Sequence, residues 1–343
     1  MQRSRQRSHA LRVAPLLLAF CLIVASCGGG RDDDDASDTS NGTDDTSQTG
    51  EDVDAGIDTS ECPDADTAGI EGDTITLASS FPQSGLTAAF SQISKGYKAY
   101  FEKLNADGGV EVNGKKYKIE VVDKDDEYNA AKTVENIREE VGTDGEKAFA
   151  VFNVVGTANN IAIRESLDEN CVPNLFAATG SPAWGNPNYP WLVGSTLAPY
   201  SLEGVAYANY LKENQPDAKV AMLVQSDDFG KAYEDSFKSA IEGTDITVTK
   251  VATYQAGVSD VASQVTDLAA SGADSFFNGA TLLACPNALG EAVASNWERT
   301  STFVSGTCIS KTLMGLAGAN AEGVLATTNI MDPLNPAFAD LPP

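Results

Sequence analysis

Residues 148–157 read AFAVFNVVGT, an apolar run that ends in a glycine and a threonine. An apolar run of this kind is typical of a strand in a parallel sheet that is covered on both faces. Gly156 and Thr157 then open a segment with helical periodicity, so the stretch predicts a buried strand followed directly by a helix. A strand followed by a helix is the repeating unit of α/β folds.

The same alternation of short apolar runs and helical periods extends on both sides, from Thr74 to Thr328. The predicted strands are residues 75–78, 117–122, 148–155, 173–178, 220–224, 246–254, 274–278, 302–305 and 324–328. The predicted helices are residues 86–104, 130–141, 157–170, 200–213, 233–241, 261–268 and 286–297. Nine strands in a chain of this length fit better in two separate lobes than in a single sheet. We therefore predict an α/β protein with two lobes, each a mostly parallel sheet flanked by helices, and a cleft between them.

The loops that follow the strands are where we expect the functional residues. In open parallel sheets, ligands bind beyond the carboxyl ends of the strands. Two lobes that face each other at these ends form a cleft, and a hinge motion can close that cleft on a ligand. The predicted fold therefore favours a binding protein.

The amino terminus has the pattern of a secretory signal over residues 1–26. Arginines precede an apolar run from Val13 to Val24, which is too short to span a bilayer. Residues 24–27 resemble the lipobox of bacterial lipoproteins, which implies cleavage before Cys27 and lipid attachment to its sulfur. The alternative is an ordinary signal peptide that happens to contain a cysteine. A lipid on Cys27 would anchor an extracytoplasmic protein to the bacterial cell membrane.

Residues 27–70 are rich in Asp, Ser, Thr and Gly and contain almost no large apolar side chain. Such a segment cannot bury enough surface to offset its ordering entropy, so we expect a disordered acidic tether. A calcium site at Asp32–Asp35 is the alternative, but oxygen ligands need a turn that brings them together. Asp123–Asp126 is not an EF-hand loop, because Tyr128 stands where that turn requires glycine.

The charge and the histidine content exclude several classes of function. The chain has 49 Asp and Glu residues against 23 Lys and Arg residues, and about half of the net charge of −26 lies in residues 31–66. No basic cluster follows Arg12, which argues against a nucleic-acid partner. His9 is the single histidine and lies in the predicted signal, so the mature chain has none for a catalytic triad or a metal site. We therefore predict a protein that is not an enzyme and has no metal or cofactor.

The loops after the predicted strands carry short motifs in a fixed order. These motifs are residues 81–85, 123–126, 155–160, 177–184, 189–191, 199–200, 227–231 and 279–281. Over residues 72–343 the ordered set resembles the type I periplasmic binding proteins, specifically the leucine/isoleucine/valine-binding branch of substrate-binding lipoproteins for ABC importers. On this basis we assign residues 71–196 to lobe 1, residues 197–305 to lobe 2 and residues 306–343 to a return to lobe 1. Relatives continue beyond a return loop like Asp332–Pro336, so we expect an incomplete lobe 1 with uncovered apolar faces.

Ligand contacts are expected in both lobes. Gly156 and Thr157 open a helix after a buried strand, so the free N–H groups and the positive end of the helix dipole suit a carboxylate. Thr157, Asn159 and Thr179 can add hydrogen bonds, although Thr157 and Asn159 could instead only cap the helix. The resemblance and the cleft-facing loops together place the contacts at Ser84, Thr157, Asn159, Ala178, Thr179 and Ser181 in lobe 1, and at Tyr200, Phe229 and Thr281 in lobe 2.

One departure from the resembled family concerns the ligand. In the branched-chain amino acid binders, a glutamate binds the ligand's ammonium, and it lies shortly after a glycine-rich strand end of the second lobe. The corresponding stretch here, residues 279–285, contains no acid. Burying an unpaired ammonium costs several kcal/mol. Either Asp228 or another acid replaces the glutamate, or the ligand has no amine. We predict a receptor that captures a small amino acid, carboxylate or amide and delivers it to ABC permease subunits; a ligand sensor of the same fold is the alternative.

The cysteine content fits an oxidising compartment. The cysteines that remain after removal of the signal and lipidation of Cys27 are Cys62, Cys171, Cys285 and Cys308. They allow three pairings. Because Cys285 and Cys308 follow successive strands, we favour a disulfide between them, which leaves Cys62 to pair with Cys171. A four-thiol metal site is the alternative, although no CxxC motif supports it.

Overall fold

The computed structural model describes residues 68–141, 148–194 and 197–330, together with Ile57, Thr59, Ser60 and Cys62. These residues belong to one compact unit, Ala55–Pro343. The predicted signal peptide, Cys27, most of the tether and Asp332–Pro336 lie outside the described residues. Within the described part, no helix has the length and apolar character needed to cross a membrane.

Lobe 1 is built on a sheet whose strands are mostly parallel. Its elements are β1 (Ile70–Glu71), β2 (Thr74–Phe81), α1 (Ser91–Ala106), β3 (Val110–Val112), β4 (Lys115–Asp125), α2 (Ala130–Val141), β5 (Ala150–Phe152), α3 (Thr157–Glu169), β6 (Asn174–Ala177) and β7 (Leu192–Gly194), with a 3₁₀ turn at Gly85–Phe90 before α1. The strand order is β3-β4-β2-β5-β6-β7, and β1 pairs with β2. Strands β1 and β3 are antiparallel to their neighbours, and the other pairs are parallel.

Lobe 2 repeats the plan with parallel strands throughout. Its elements are α4 (Tyr200–Asn214), β8 (Lys219–Gln225), α5 (Asp228–Ala240), β9 (Thr247–Tyr254), α6 (Ala262–Ala269), β10 (Ser275–Gly279), α7 (Ala284–Ala294), β11 (Ser301–Val304), α8 (Lys311–Ala317) and β12 (Leu325–Ala326), with 3₁₀ turns at Gly306–Cys308 and Gly318–Ala321. The strand order is β12-β11-β10-β8-β9. All four neighbouring pairs are parallel.

The predicted fold class, two α/β lobes with mostly parallel sheets, is confirmed, but two predicted details need correction. The predicted strand 148–155 ends at Phe152, because Asn153 adopts a left-handed conformation with φ 54°, a region that asparagine tolerates better than most residues. A bridge between Val155 and Ala178 then resumes the pairing. The predicted return to lobe 1 at residue 306 is also displaced, since α8 and β12 remain with lobe 2 and β12 pairs with β11.

The strand order positions the cleft. In each lobe the first parallel strand lies between the second and the third: β2 lies between β4 and β5, and β8 lies between β9 and β10. The order therefore reverses direction between β2 and β5 and again between β8 and β10. Such a reversal opens a crevice at the carboxyl ends of the strands, which is where open α/β sheets bind ligands.

The core of lobe 2 is covered on both faces of its sheet. Phe277 on β10 contacts the rings of Tyr207 and Phe237 on one face, with centroids 4.8 and 5.4 Å apart. Phe276 points to the other face, where its ring lies 4.9 Å from that of Trp297. Burial on both faces explains why β8 and β10 are continuous buried runs rather than alternating patterns.

Lobe 1 leaves several large apolar side chains exposed. Phe149, next to β5, and Phe176 on β6 are 42% and 47% exposed, and Val193 on β7 is 47% exposed. Tyr100 on α1 is 62% exposed. These side chains lie on or beside the edge half of the lobe 1 sheet, where apolar surface is uncovered.

Two disulfides join the cysteines in the favoured pairing. Cys62 is bonded to Cys171, with Cα atoms 5.5 Å apart. Cys285 is bonded to Cys308, with Cα atoms 6.2 Å apart. Because all four sulfurs are used in these bonds, the alternative of a four-thiol metal site is wrong.

Candidate functional site

A narrow cavity lies between the carboxyl ends of the strands of the two lobes. Its lining comes from the 3₁₀ turn after β2 and the loop after β4 in lobe 1, and from the ends of β8 and β9 and the loop after β10 in lobe 2. The lining residues are Leu86, Thr87, Tyr128, Gln225, Tyr254, Gly257, Val258, Ser259, Thr281, Leu282, Leu283 and Ala284. The empty space of this cavity, counted together with the solvent at its open mouth, is about 270 Å³. None of the side chains that line it in the described part of the chain is charged.

The helix α3 begins beside this cavity without a side-chain cap. Its N-cap residue is Gly156, with φ 105°, and no side chain accepts a hydrogen bond there. The Thr157 hydroxyl instead lies 2.6 Å from the Thr179 hydroxyl, and Asn159 donates to Asp126. The alternative interpretation, in which Thr157 and Asn159 cap the helix, is therefore wrong.

Three of the predicted lobe 1 contacts form one polar cluster. Thr179 accepts a hydrogen bond on its hydroxyl from the Ser181 backbone N–H at 3.2 Å, in addition to its contact with Thr157. Trp184 Nε1 donates to the Thr179 carbonyl at 2.9 Å, which fixes the loop after β6. The structure thus brings Thr157, Thr179 and Ser181 together, although none of them lines the cavity.

Two other residues that were predicted to contact the ligand, Ser84 and Asn159, form hydrogen bonds with Asp125 and Asp126. The Ser84 hydroxyl donates to Asp125. The Asn159 amide donates to Asp126 Oδ2 at 3.2 Å, and Asp126 also accepts from Ser80 and Thr133 at 3.0 and 2.9 Å. Burial raises the pKa of the Asp126 carboxyl, against the opposite effect of these hydrogen bonds. Ser84 and Asn159 therefore hold the loop after β4.

Ala178 is a predicted contact whose backbone is already paired. Its N–H donates to the Val154 carbonyl at 2.8 Å, and its carbonyl accepts from the Gly156 N–H at 3.4 Å. Both polar groups of this residue extend the lobe 1 sheet. Only the methyl side chain of Ala178 is left for contact with a ligand.

Tyr200 and Phe229 pack together at the start of lobe 2. Their rings are 4.9 Å apart and nearly perpendicular. The Tyr200 N–H donates to the Gly180 carbonyl of lobe 1 at 2.7 Å, and its phenol lies beside the Thr179 side chain. Burial raises the pKa of this phenol. Tyr200 therefore connects the polar cluster of lobe 1 to the aromatic core of lobe 2.

Thr281 is the one predicted contact that lines the cavity. It is 6% exposed, and its hydroxyl has no hydrogen-bond partner among the described residues. Its backbone N–H donates to the Tyr254 phenol at 3.1 Å. An unpaired buried hydroxyl costs free energy unless a ligand or a water molecule completes its hydrogen bond. The Thr281 hydroxyl is thus a buried polar group, beside the cavity, whose hydrogen bond is not made within the described residues.

The cavity residues that sequence reasoning missed include Tyr128, Gln225 and Tyr254. Gln225 and Tyr254 are the last residues of the neighbouring strands β8 and β9 and are paired in register. The Tyr254 phenol donates to Gln225 Oε1 at 3.4 Å, and burial raises the pKa of that phenol. Their position at the carboxyl ends of two strands is a signal that could have identified them.

Asp227, another residue that the sequence did not single out, closes the lobe 2 side of the site. Its Oδ1 accepts from the N–H groups of Phe229 and Gly230 at 3.1 and 3.3 Å, so it caps α5. Its Oδ2 accepts from Gln225 Nε2 at 2.6 Å. Burial raises the pKa of the Asp227 carboxyl, although these hydrogen bonds act in the opposite direction. Both carboxylate oxygens of Asp227 therefore already accept hydrogen bonds from the protein itself.

Comparisons with known proteins agree with this architecture. A family model described as periplasmic binding protein matches residues 74–341. A leucine/isoleucine/valine-binding protein homolog from Brucella melitensis is 27% identical over 271 residues, which cover 78% of this chain and 70% of the relative.

Two solved structures have the same fold. One is a branched-chain amino acid ABC transporter protein from Thermus thermophilus with bound valine, with TM-score 0.66, 22% identity, and coverage of 76% of this chain and 66% of that chain. The other is a fatty acid ABC transporter substrate-binding protein from Thermomonospora curvata, with TM-score 0.65, 21% identity, and coverage of 75% and 64%. The match of the family model over most of the chain shows that this protein belongs to the periplasmic binding protein family, with the two-lobed type I fold.

Proposed function

We propose that the protein is an extracytoplasmic solute-binding receptor of an ABC-type importer that captures a small carboxylate or amide by closure of its two lobes. The observation that carries this proposal is the cavity, because side chains of both lobes line it and the Thr281 hydroxyl is unpaired. Ligand pockets typically combine an apolar lining with a few polar groups that orient the ligand. A lining shared by two lobes couples ligand binding to hinge closure.

The uncharged lining argues against a ligand with a free ammonium group. Of the nearby acids, the partly buried Asp227 already accepts hydrogen bonds from Gln225 and from the N-terminal N–H groups of α5, and the buried Asp126 already accepts them from Ser80, Thr133 and Asn159. Asp228 is exposed and does not line the cavity. An ammonium would therefore be buried without a partner, at a cost of several kcal/mol. We infer that of the three ligand classes, the carboxylate and the amide fit and the amino acid does not.

The fold by itself does not decide the ligand class. One structural neighbour holds valine, which carries an ammonium group, and another belongs to a fatty acid transporter. The choice rests on the side chains of this cavity, above all on the absence of an acid from its lining in the described residues.

Valine, isovalerate and isovaleramide test this proposal because they share one branched carbon skeleton and differ in their charges. We expect isovalerate or isovaleramide to stabilise the protein and valine to have no effect. At 100 times its dissociation constant, a ligand should add about 2.7 kcal/mol to the unfolding free energy. A thermal unfolding assay with each compound measures this shift.

Thr281→Val is the matched variant for this assay, because it keeps the shape of the side chain and removes only the unpaired hydroxyl. We expect the variant to fold as the native protein does and to bind the same compound about ten-fold more weakly, which corresponds to about 1.4 kcal/mol. If no compound stabilised the native protein, the binding proposal would be wrong. If only valine did so, the assignment of a ligand without an ammonium would be wrong.

Lipid attachment at Cys27 is the second part of the proposal. Residues 24–27 support it, and an anchor of this kind would keep the receptor beside the membrane and its permease. We expect Cys27→Ser to move the protein from the membrane fraction to the soluble fraction of the cell envelope. Cys21→Ser is the control and should leave it in the membrane fraction. Retention of the Cys27→Ser protein in the membrane would contradict lipid anchoring at this residue.

A further inference from the structure

Tyr128 occupies a backbone position that would suit glycine. Its φ is 62°, and the preceding Glu127 has φ 50°. Bulky residues rarely adopt this left-handed conformation because it is strained. The Tyr128 N–H donates to Asp126 Oδ1 at 2.9 Å, and Asp126 is itself held by its other hydrogen bonds. These hydrogen bonds hold the loop, and the Tyr128 side chain that it carries, in one conformation.

The ring of Tyr128 lies against the amino terminus of α3. It stacks on Phe90, with centroids 5.7 Å apart and an interplanar angle of 26°. A Cβ atom at Gly156 would lie 2.9 Å from Tyr128 Cε2 and 3.3 Å from its hydroxyl oxygen. The glycine at this N-cap is therefore required by the close approach of the ring. The ring fills the space directly beside the first turn of α3.

The phenol of Tyr128 reaches the opposite lobe. It lies beside the Gln225 side chain, which is 2% exposed. Gln225 also donates to Asp227 and accepts from Tyr254. Tyr128, Gln225 and Tyr254 all line the cavity that contains the unpaired Thr281 hydroxyl. One side chain of lobe 1 therefore takes up room in a cavity that lobe 2 also lines.

We propose that Tyr128 is a specificity-determining residue that limits the size of the ligand by filling the part of the cleft between the start of α3 and Gln225. This inference rests on the proposed function of the cleft as a binding site for a small solute. The phenol ring occupies a place where a larger ligand would otherwise lie. Gln225 already has Asp227 and Tyr254 as hydrogen-bond partners, whereas the Thr281 hydroxyl has none among the described residues.

The test uses Tyr128→Gly with p-cresol, which has the structure of the tyrosine side chain. Glycine adopts φ near 60° without strain, so the variant should fold. We expect calorimetric titration to show p-cresol binding to Tyr128→Gly at least ten-fold more tightly than to the native protein. Toluene should bind this variant several-fold more weakly than p-cresol does, because it has no hydroxyl to place beside the polar Gln225 side chain.

Tyr128→Phe is the control, since it keeps the ring in place and loses only the hydroxyl, and it should not bind p-cresol. Tyr128→Asn is a second small variant that tolerates the left-handed conformation, and it should bind p-cresol if Tyr128→Gly does not fold. Equal p-cresol affinity for all of the proteins, or no p-cresol binding to a folded small variant, would overturn the role of Tyr128.

The two sets of measurements distinguish a failure of this inference from a failure of the proposed function. If isovalerate and isovaleramide fail to bind the native protein but p-cresol binds Tyr128→Gly, the solute class is wrong while Tyr128 still fills a ligand-sized part of the cleft. If a solute binds the native protein but p-cresol does not bind the folded small variants, the binding function stands and the role of Tyr128 is wrong.

Discussion

Replacing Cys285 and Cys308 together with alanine is expected to lower the unfolding free energy by about 3 kcal/mol or more. The disulfide joins residues 23 positions apart, and the entropy of closing a loop of this size accounts for about 3 kcal/mol in the unfolded chain. Both residues are fully buried in the core of lobe 2, so the loss of two sulfur atoms adds a cavity cost. Denaturant unfolding followed by circular dichroism measures the change.

A matched background separates the cross-link from the packing of the sulfur atoms. In a Cys62→Ala, Cys171→Ala protein, Cys285 and Cys308 form the remaining disulfide of the described chain, and a reductant breaks it without removing its sulfurs. We expect the reductant to lower the unfolding free energy of this double variant. The decrease should be smaller than the one that Cys285→Ala with Cys308→Ala causes in the native protein. An unchanged unfolding midpoint after reduction would contradict any contribution from the cross-link.

The alternation of strands and helices could be predicted because it depends on burial patterns that are local in sequence. The stretch at residues 148–157 correctly places the start of α3 at Thr157. The early end of β5 could not be predicted in the same way. Asn153 leaves the strand through a left-handed conformation, and an asparagine within an apolar run does not by itself indicate where the backbone turns. The boundary at residue 306 failed because pairing of β12 with β11 depends on long-range contacts.

Part of the candidate site could likewise be predicted from the sequence, and part of it could not. Thr157, Thr179 and Tyr200 come together because they follow strands or begin helices at one edge of the molecule, which sequence order indicates. Ser84 and Asn159 have the expected location, but the aspartates of the loop after β4 bind them. No pattern in the sequence indicates that Glu127 and Tyr128 adopt left-handed conformations, because neither residue type favours them. Tyr128 was therefore visible only in the structure.

Gly230→Ala is expected to destabilise lobe 2 and to disrupt the site at the same time. Gly230 lies in the first turn of α5, and a Cβ atom there would lie 1.9 Å from the Gln225 carbonyl oxygen and 2.6 Å from the Gln225 nitrogen. These are backbone atoms at the end of β8, so no flexible side chain can move away. We expect a loss of about 3 kcal/mol in unfolding free energy, the upper end of the usual cost of overpacking.

The binding effect of Gly230→Ala follows from the position of Gln225 in the cavity. Relief of the clash must move the start of α5 or the end of β8, and either movement displaces Gln225 from Asp227 and from its place in the cavity lining. We expect at least a ten-fold loss of affinity for whichever compound stabilises the native protein, measured by calorimetric titration below the unfolding temperature. Gly96→Ala is the control, because Gly96 is exposed in α1 and a Cβ atom there has no neighbour within 4 Å. Gly96→Ala should raise the unfolding free energy by at most about 1 kcal/mol and leave binding unchanged. Equal unfolding midpoints and equal affinities for the two variants would contradict a close contact between α5 and β8.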